Sequence, residues 1–182
     1  MNKCIFSWAF VIILALAGSK TANASITVGL PTVTSGVWNY GMTGDTLESL
    51  VAGNSYFVIY DFSGYVVGSI TAPTGWTATA QLVGPVPSNQ ILTDSSSLYN
   101  LVFSYTGATT PVPTMSGFTA ESIYNSIATG GTFAYQATNN ANGLPDQGQG
   151  FVDIPVAAPE PTTISLFCGG LALLGLSRLR RK

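Results

Sequence analysis

Between residues 25 and 158 apolar and polar side chains alternate with a period of two. In GWTATAQLV, Trp76, Ala78, Ala80 and Leu82 fall on one face and Thr77, Thr79 and Gln81 on the other. In LYNLVFSYT, Tyr99, Leu101, Phe103 and Tyr105 oppose Asn100 and Ser104, and TFAYQAT alternates Phe133 and Tyr135 with Ala134 and Gln136. SYFVIYDF is apolar on both faces, the pattern of a strand covered on two sides. These runs are rich in aromatic and β-branched residues, which suit a pleated, half-buried surface. Gly and Pro punctuate them at Ser63-Gly64, at Ala72 to Gly75, at Gly84 to Pro87 and at Thr110 to Pro113. Several short strands at this spacing predict an all-β body, an antiparallel β-sandwich of Ig-like or jelly-roll-like kind. Asp45 and Glu48 stand at capping-box spacing, which offers one short helix over Asp45 to Ala52 as an alternative to extended chain. The polar, Gly-rich NNANGLPDQGQGFVD reads as a loop.

The alternation stops at both ends, where continuous apolar runs replace it. At the N-terminus Lys3 precedes a nearly unbroken apolar stretch from Cys4 to Ala17, and Ala22-Asn23-Ala24 fits the small-x-small pattern of a cleavage site. Residues 1–24 are therefore expected to be a signal peptide, removed by signal peptidase after Ala24, with Ser25 as the mature start. At the C-terminus Thr162 to Ser177 carry no charge. As a helix this run would span about 24 Å, short of the roughly 30 Å hydrocarbon core, so it suits a temporary anchor better than a lasting one.

Charge sharpens this division. The chain has 6 Lys+Arg, 8 Asp+Glu and no His. The basic residues are Lys3, Lys20, Arg178, Arg180, Arg181 and Lys182, all outside residues 25–158. Lys and Arg beside an apolar segment hold the cytoplasmic side of a membrane, so Arg178, Arg180, Arg181 and Lys182 act as the stop. The precursor is then an inner-membrane protein with a cytoplasmic C-terminus and its body outside. Just before the apolar run, Pro159-Glu160-Pro161 fixes an extended segment accessible to an enzyme in or near the membrane.

The order of proline bracket, apolar helix and arginine-rich end resembles the PEP-CTERM sorting signal of Gram-negative bacteria, with Pro159, Glu160 and Pro161 matching its motif. The resemblance implies recognition of residues 159–182 by an exosortase, an integral-membrane sorting protease, and an association with extracellular polysaccharide and biofilm material. The segments YDFSGYVVGS, PTGW and LYNLVFSYTG, within Leu50 to Gly107, resemble a body that recurs in other proteins with this tail, which implies a shared fold and no activity.

Residues 25–158 lack His, Cys, Lys and Arg. That removes Ser-His-Asp and Cys-His catalysis, Schiff-base lysines, arginine clamps and zinc sites built on His or Cys. No disulfide can form within the body, since Cys4 and Cys168 lie in the segments expected to be removed. The remaining acids, Asp45, Glu48, Asp61, Asp94, Glu121, Asp146 and Asp153, give a formal charge of −7, which repels phosphate, so no nucleic-acid partner is expected. A glycosidase needs two carboxylates at a set separation, and nothing in the sequence pairs these. Neither a catalytic residue nor a cofactor or metal is expected. The functional expectation is a secreted, exosortase-processed structural protein of the cell surface or matrix. The alternative is a carbohydrate-binding module in which Trp38, Tyr40 and Trp76 stack on sugar rings, with Asp146 and Asp153 as oxygen ligands for calcium.

Overall fold

The computed structural model describes residues 26–158. The expected signal cleavage at Ala22, Ala24 and Ser25, the bracket Pro159-Glu160-Pro161, the apolar run and Arg178, Arg180, Arg181 and Lys182 lie outside the described residues. Those described form eleven β-strands in two antiparallel sheets, without a helix.

The smaller sheet is built on β3 (Val37–Thr43). On one edge, β1 (Thr27–Val28) and β2 (Thr32–Thr34) pair with its two ends. On the other edge lies β9 (Met115–Glu121). Alternation along β3 sends Trp38, Tyr40 and Met42 inward, and β9 matches them with Phe118 opposite Tyr40 and the small Ala120 opposite Trp38.

In the larger sheet β6 (Trp76–Gln81) pairs with β7 (Tyr99–Tyr105), β7 with β5 (Tyr56–Phe62), and β5 with the long β10 (Ser126–Asn139). Two short strands extend these rows. β4 (Glu48–Leu50) pairs with β10 beyond β5, and β8 (Thr110–Pro111) pairs with β4. β11 (Pro145–Val156) closes the other side of β10 as a hairpin. Pro111 is tolerated because β8 is an edge strand, where an N–H is not required.

The inner faces meet in an aromatic core. Phe118 of the small sheet packs against Phe57, Phe103 and Trp76 of the large one at ring-centroid distances of 4.8, 5.2 and 5.1 Å. Trp38 meets Phe62 edge-on at 6.1 Å. Two of the buried rings have their polar ends satisfied: Trp38 Nε1 donates to the Tyr124 carbonyl and Tyr40 Oη to that of Asp153, whereas the buried Nε1 of Trp76 finds no acceptor among the described residues.

β5 is buried on both faces, as its sequence predicts. Its second face, with those of β7 and β10, holds Val58, Tyr60, Val102 and Ala134 under the segment 82–98. A polar staple fastens this cover. Asp94 accepts from the Gly84 N–H and from Asn100 Nδ2, Asp61 accepts from the Ser95 N–H, and Asn100 Oδ1 accepts from the Asp61 N–H. Asp61 sits at a break in the β5–β7 register with φ of 56°, a left-handed conformation that Asp visits more readily than most residues.

Three expectations are corrected. Asp45 does not cap a helix: its carboxylate accepts from the Leu47 N–H in a tight turn, and residues 48–50 go into β4, where β10 and β8 supply their hydrogen bonds. Tertiary pairing overrides the local capping signal. The stretch read as a loop is instead a hairpin. Asn139 to Leu144 form its turn, with side-chain oxygens of Asn139 and Asn142 accepting from Ala141 and Leu144 N–H, and the rest is β11. Leu82, expected inside, lies beyond the end of β6 and is exposed.

Candidate functional site

Sheet register brings two acids together that the sequence leaves unconnected. In β10 the inward positions include Phe133, Tyr135 and Ala137. Across one edge Ala137 faces Asp146 of β11. Across the other, Ser49 pairs with Thr138 and Glu48 with Asn139, so Glu48 shares the inward face with Leu50. Ala137 is fully buried, and its single methyl leaves room for both acids to approach over β10.

Tyr135 completes the group. It stands opposite Gly148, and a Cβ on that glycine would come within 2.6 Å of the tyrosine ring. The missing side chain lets the ring lie across β11 toward Asp146. Its hydroxyl lies within reach of the Asp146 carboxyl and of the backbone N–H of Ile26. Burial, then the nearby charges of Asp146 and Glu48, push the phenol well above its ordinary range.

Glu48 is wholly inaccessible to solvent. Its carboxyl is pushed up to about 8, first by burial, then by its hydrogen bond to Asp146 and by the negative charges of Asp146 and Asp45. Without a proton between them, Glu48 Oε1 and Oε2 and Asp146 Oδ2 would all be buried acceptors with no donor. A proton retained on Glu48 at neutral pH joins the two acids, the expected behaviour of neighbouring carboxyls removed from water. Glu48 is closed to solvent while Asp146 is half-buried, so the pair offers no face on which a substrate could meet both carboxyls.

The other sequence candidates are dispersed. Asp61 and Asp94 fasten the cover over β5. Asp45 lies in the turn before β4, beside an open hollow lined by Thr27, Thr43, Gly44 and Thr46. Glu121 is exposed at the end of β9. Asp146 and Asp153 lie seven positions apart on one strand, about 23 Å at the rise of an extended chain, too far to share a calcium ion. Among the described residues no three of His, Cys, Asp and Glu converge as metal ligands. Trp38, Tyr40 and Trp76 are core residues, so their faces are not offered to a sugar. The exposed ring is Phe151 on β11, beside Ile91, in a shallow groove of about 250 Å³ that Leu92, Thr93, Thr132 and Gln149 also line.

The acid pair escapes a sequence reading because its members join only through the register of β4, β10 and β11. A signal was present. Counting back from the turn sets TFAYQA against DQGQGF, which places Gly148 and Gly150 under Tyr135 and Phe133 and leaves Asp146 beside them.

Residues 157–182 match the family model described as the PEP-CTERM protein-sorting motif. No curated protein and no solved structure matches the chain. A motif of this kind marks a protein for secretion and for processing by an exosortase.

Proposed function

From a chain that carries a PEP-CTERM protein-sorting motif, we propose a structural protein of the cell surface or extracellular matrix, associated with biofilm exopolysaccharide and without catalysis of its own. The match at residues 157–182 carries this reading. In it, signal peptidase removes residues 1–24, and the apolar run from Thr162 holds the body at the outer face of the inner membrane. The basic end from Arg178 fixes the direction, and Pro159-Glu160-Pro161 presents the site that the exosortase reads.

The body supports a passive role. Of its close carboxyls Glu48 is wholly buried, its tryptophans and most of its aromatic rings are spent on the core, and its surface is acidic and hydroxyl-rich without a basic residue. Such a surface stays hydrated within a polysaccharide gel.

Two changes separate the parts of the tail. Replacing Pro159 and Glu160 with alanine leaves the protein inserted and uncleaved, while neutralising Arg178, Arg180 and Arg181 disturbs retention or orientation before cleavage. Fractionation with intact-mass measurement reads both. Release of the alanine variant at the wild-type rate and size would show that the bracket is not read and that the tail is an ordinary anchor.

A further inference from the structure

Among the described residues neither the buried Glu48 nor the half-buried Asp146 has a cationic partner, and residues 25–158 contain no Lys, Arg or His that could supply one. Apart from the proton the two acids share, three buried carboxylate oxygens, Glu48 Oε1, Glu48 Oε2 and Asp146 Oδ2, find no donor among the described residues. An ammonium group carries three N–H donors and one positive charge, which matches that need in number and in sign.

The chain itself offers such a group at this place. Ile26 is buried, and its backbone N–H lies within reach of the hydroxyl of Tyr135, whose ring rests over Gly148, two residues from Asp146. β1, which follows Ile26, packs against β11, the strand that carries Asp146. The nitrogen of residue 25 is three covalent bonds from that of Ile26, within about 3.6 Å of it. In the uncut chain it is an amide, with one N–H and no charge. Cleavage after Ala24 turns it into an α-ammonium.

We infer that Glu48 and Asp146 form a receptor site for the chain's own new N-terminus, with the Ser25 α-ammonium, freed by signal peptidase, as the counter-ion of the pair. This rests on the reading that residues 1–24 are removed after Ala24. Tyr135 holds Asp146 toward the entering amine, and Asp45, in the turn before β4, adds negative charge on the same side. Signal cleavage is then a maturation step for the body as well as a release step, because it creates the cation that completes the core.

The absence of lysine from the body makes the test direct. The full precursor is expressed and exported, and the processed protein is identified by intact mass. It is then treated with an amine-acylating reagent, whose target in the body is the α-amine alone; Lys182, where retained, is resolved by mass. Acylation needs the neutral amine, and raising an amine's pKa by one unit lowers that form about tenfold at neutral pH. The native α-amine is expected to react at least about tenfold more slowly than in the same protein unfolded in urea, and Glu48→Gln to restore most of the lost reactivity while the protein stays folded. Asp146→Asn serves as the second variant if Glu48→Gln fails to fold. Protection that persists unchanged in a folded variant would mean simple shielding and overturn the inference. So would a native α-amine that reacts as fast as the unfolded one. A processed chain that begins elsewhere than Ser25 overturns the cleavage reading and the inference with it, whereas a Ser25 amine that reacts freely overturns the inference alone.

Discussion

Glu48 keeps a proton that an ordinary glutamic acid has lost by neutral pH, and stability must follow. With the carboxyl raised from 4.5 to about 8, the native state binds more protons than the unfolded state across that interval. Stability therefore falls as pH rises from about 4.5 to 8 and levels off above it. In the chain that retains residues 1–24, urea midpoints should decline over this window, and Glu48→Gln, which mimics the protonated acid, should flatten the curve. A neighbouring α-ammonium favours the ionised pair, so the processed protein should show a smaller decline. Gly148 makes a second case at this scale. Its missing Cβ is where the Tyr135 ring lies, so Gly148→Ala should cost about 1–3 kcal/mol by overpacking, measured by denaturant unfolding. Tyr135→Ala in the same background should recover part of that loss.

The segment 82–98 behaves as an element although it contains no strand. It buries the second face of β5 and β7 and depends on Asp94, which accepts two hydrogen bonds. Asp94→Ala strands the buried Asn100 amide and the Gly84 N–H, a loss of about 1–3 kcal/mol. Lifting the cover should also return Tyr60, now held high chiefly by burial, toward its ordinary range, which an ultraviolet tyrosine titration would detect. The two-sided apolar pattern of SYFVIYDF announced that such a cover exists. It could not say what supplies it, because the staple joins Asp61, Asp94 and Asn100 across two strands and a loop. The strands of GWTATAQLV and LYNLVFSYT were legible because period-two alternation reports one buried face directly. β4 and β11 were not. β4 takes its conformation from partners distant in sequence, β11 begins in a polar, Gly-rich run, and each is locally polar enough to read as something else. The acid pair inherits that difficulty, since both its members lie on those two strands.

At the scale of the molecule, the two sheets are held together by one aromatic contact zone. Phe118 is its centre, touching three rings of the opposite sheet. Phe118→Ala should cost about 3–5 kcal/mol, whereas Phe151→Ala, on an exposed face, should stay within about 0.5 kcal/mol of wild type. Paired urea titrations decide this. Both cysteines lie outside residues 25–158, and packing is the source of stability that the body displays. The processed protein should therefore unfold at the same midpoint with or without reductant and with or without chelator. A marked loss in chelator would establish a bound cation as part of the fold.

The connections between the sheets carry a consequence in time. β3 finds its partner β9, and β4 and β5 find β10, only after long stretches of intervening chain have been made. Loops of that length must close before their contacts reward them, and topologies of this kind fold in milliseconds to seconds, well behind helical proteins of similar size. Most of the body must leave the ribosome before either sheet can close. For a chain that crosses a membrane before it folds, that delay is protective. In such a chain it would leave the polypeptide threadable on the inside and postpone closure of the core until β10 and β11 had arrived on the far side.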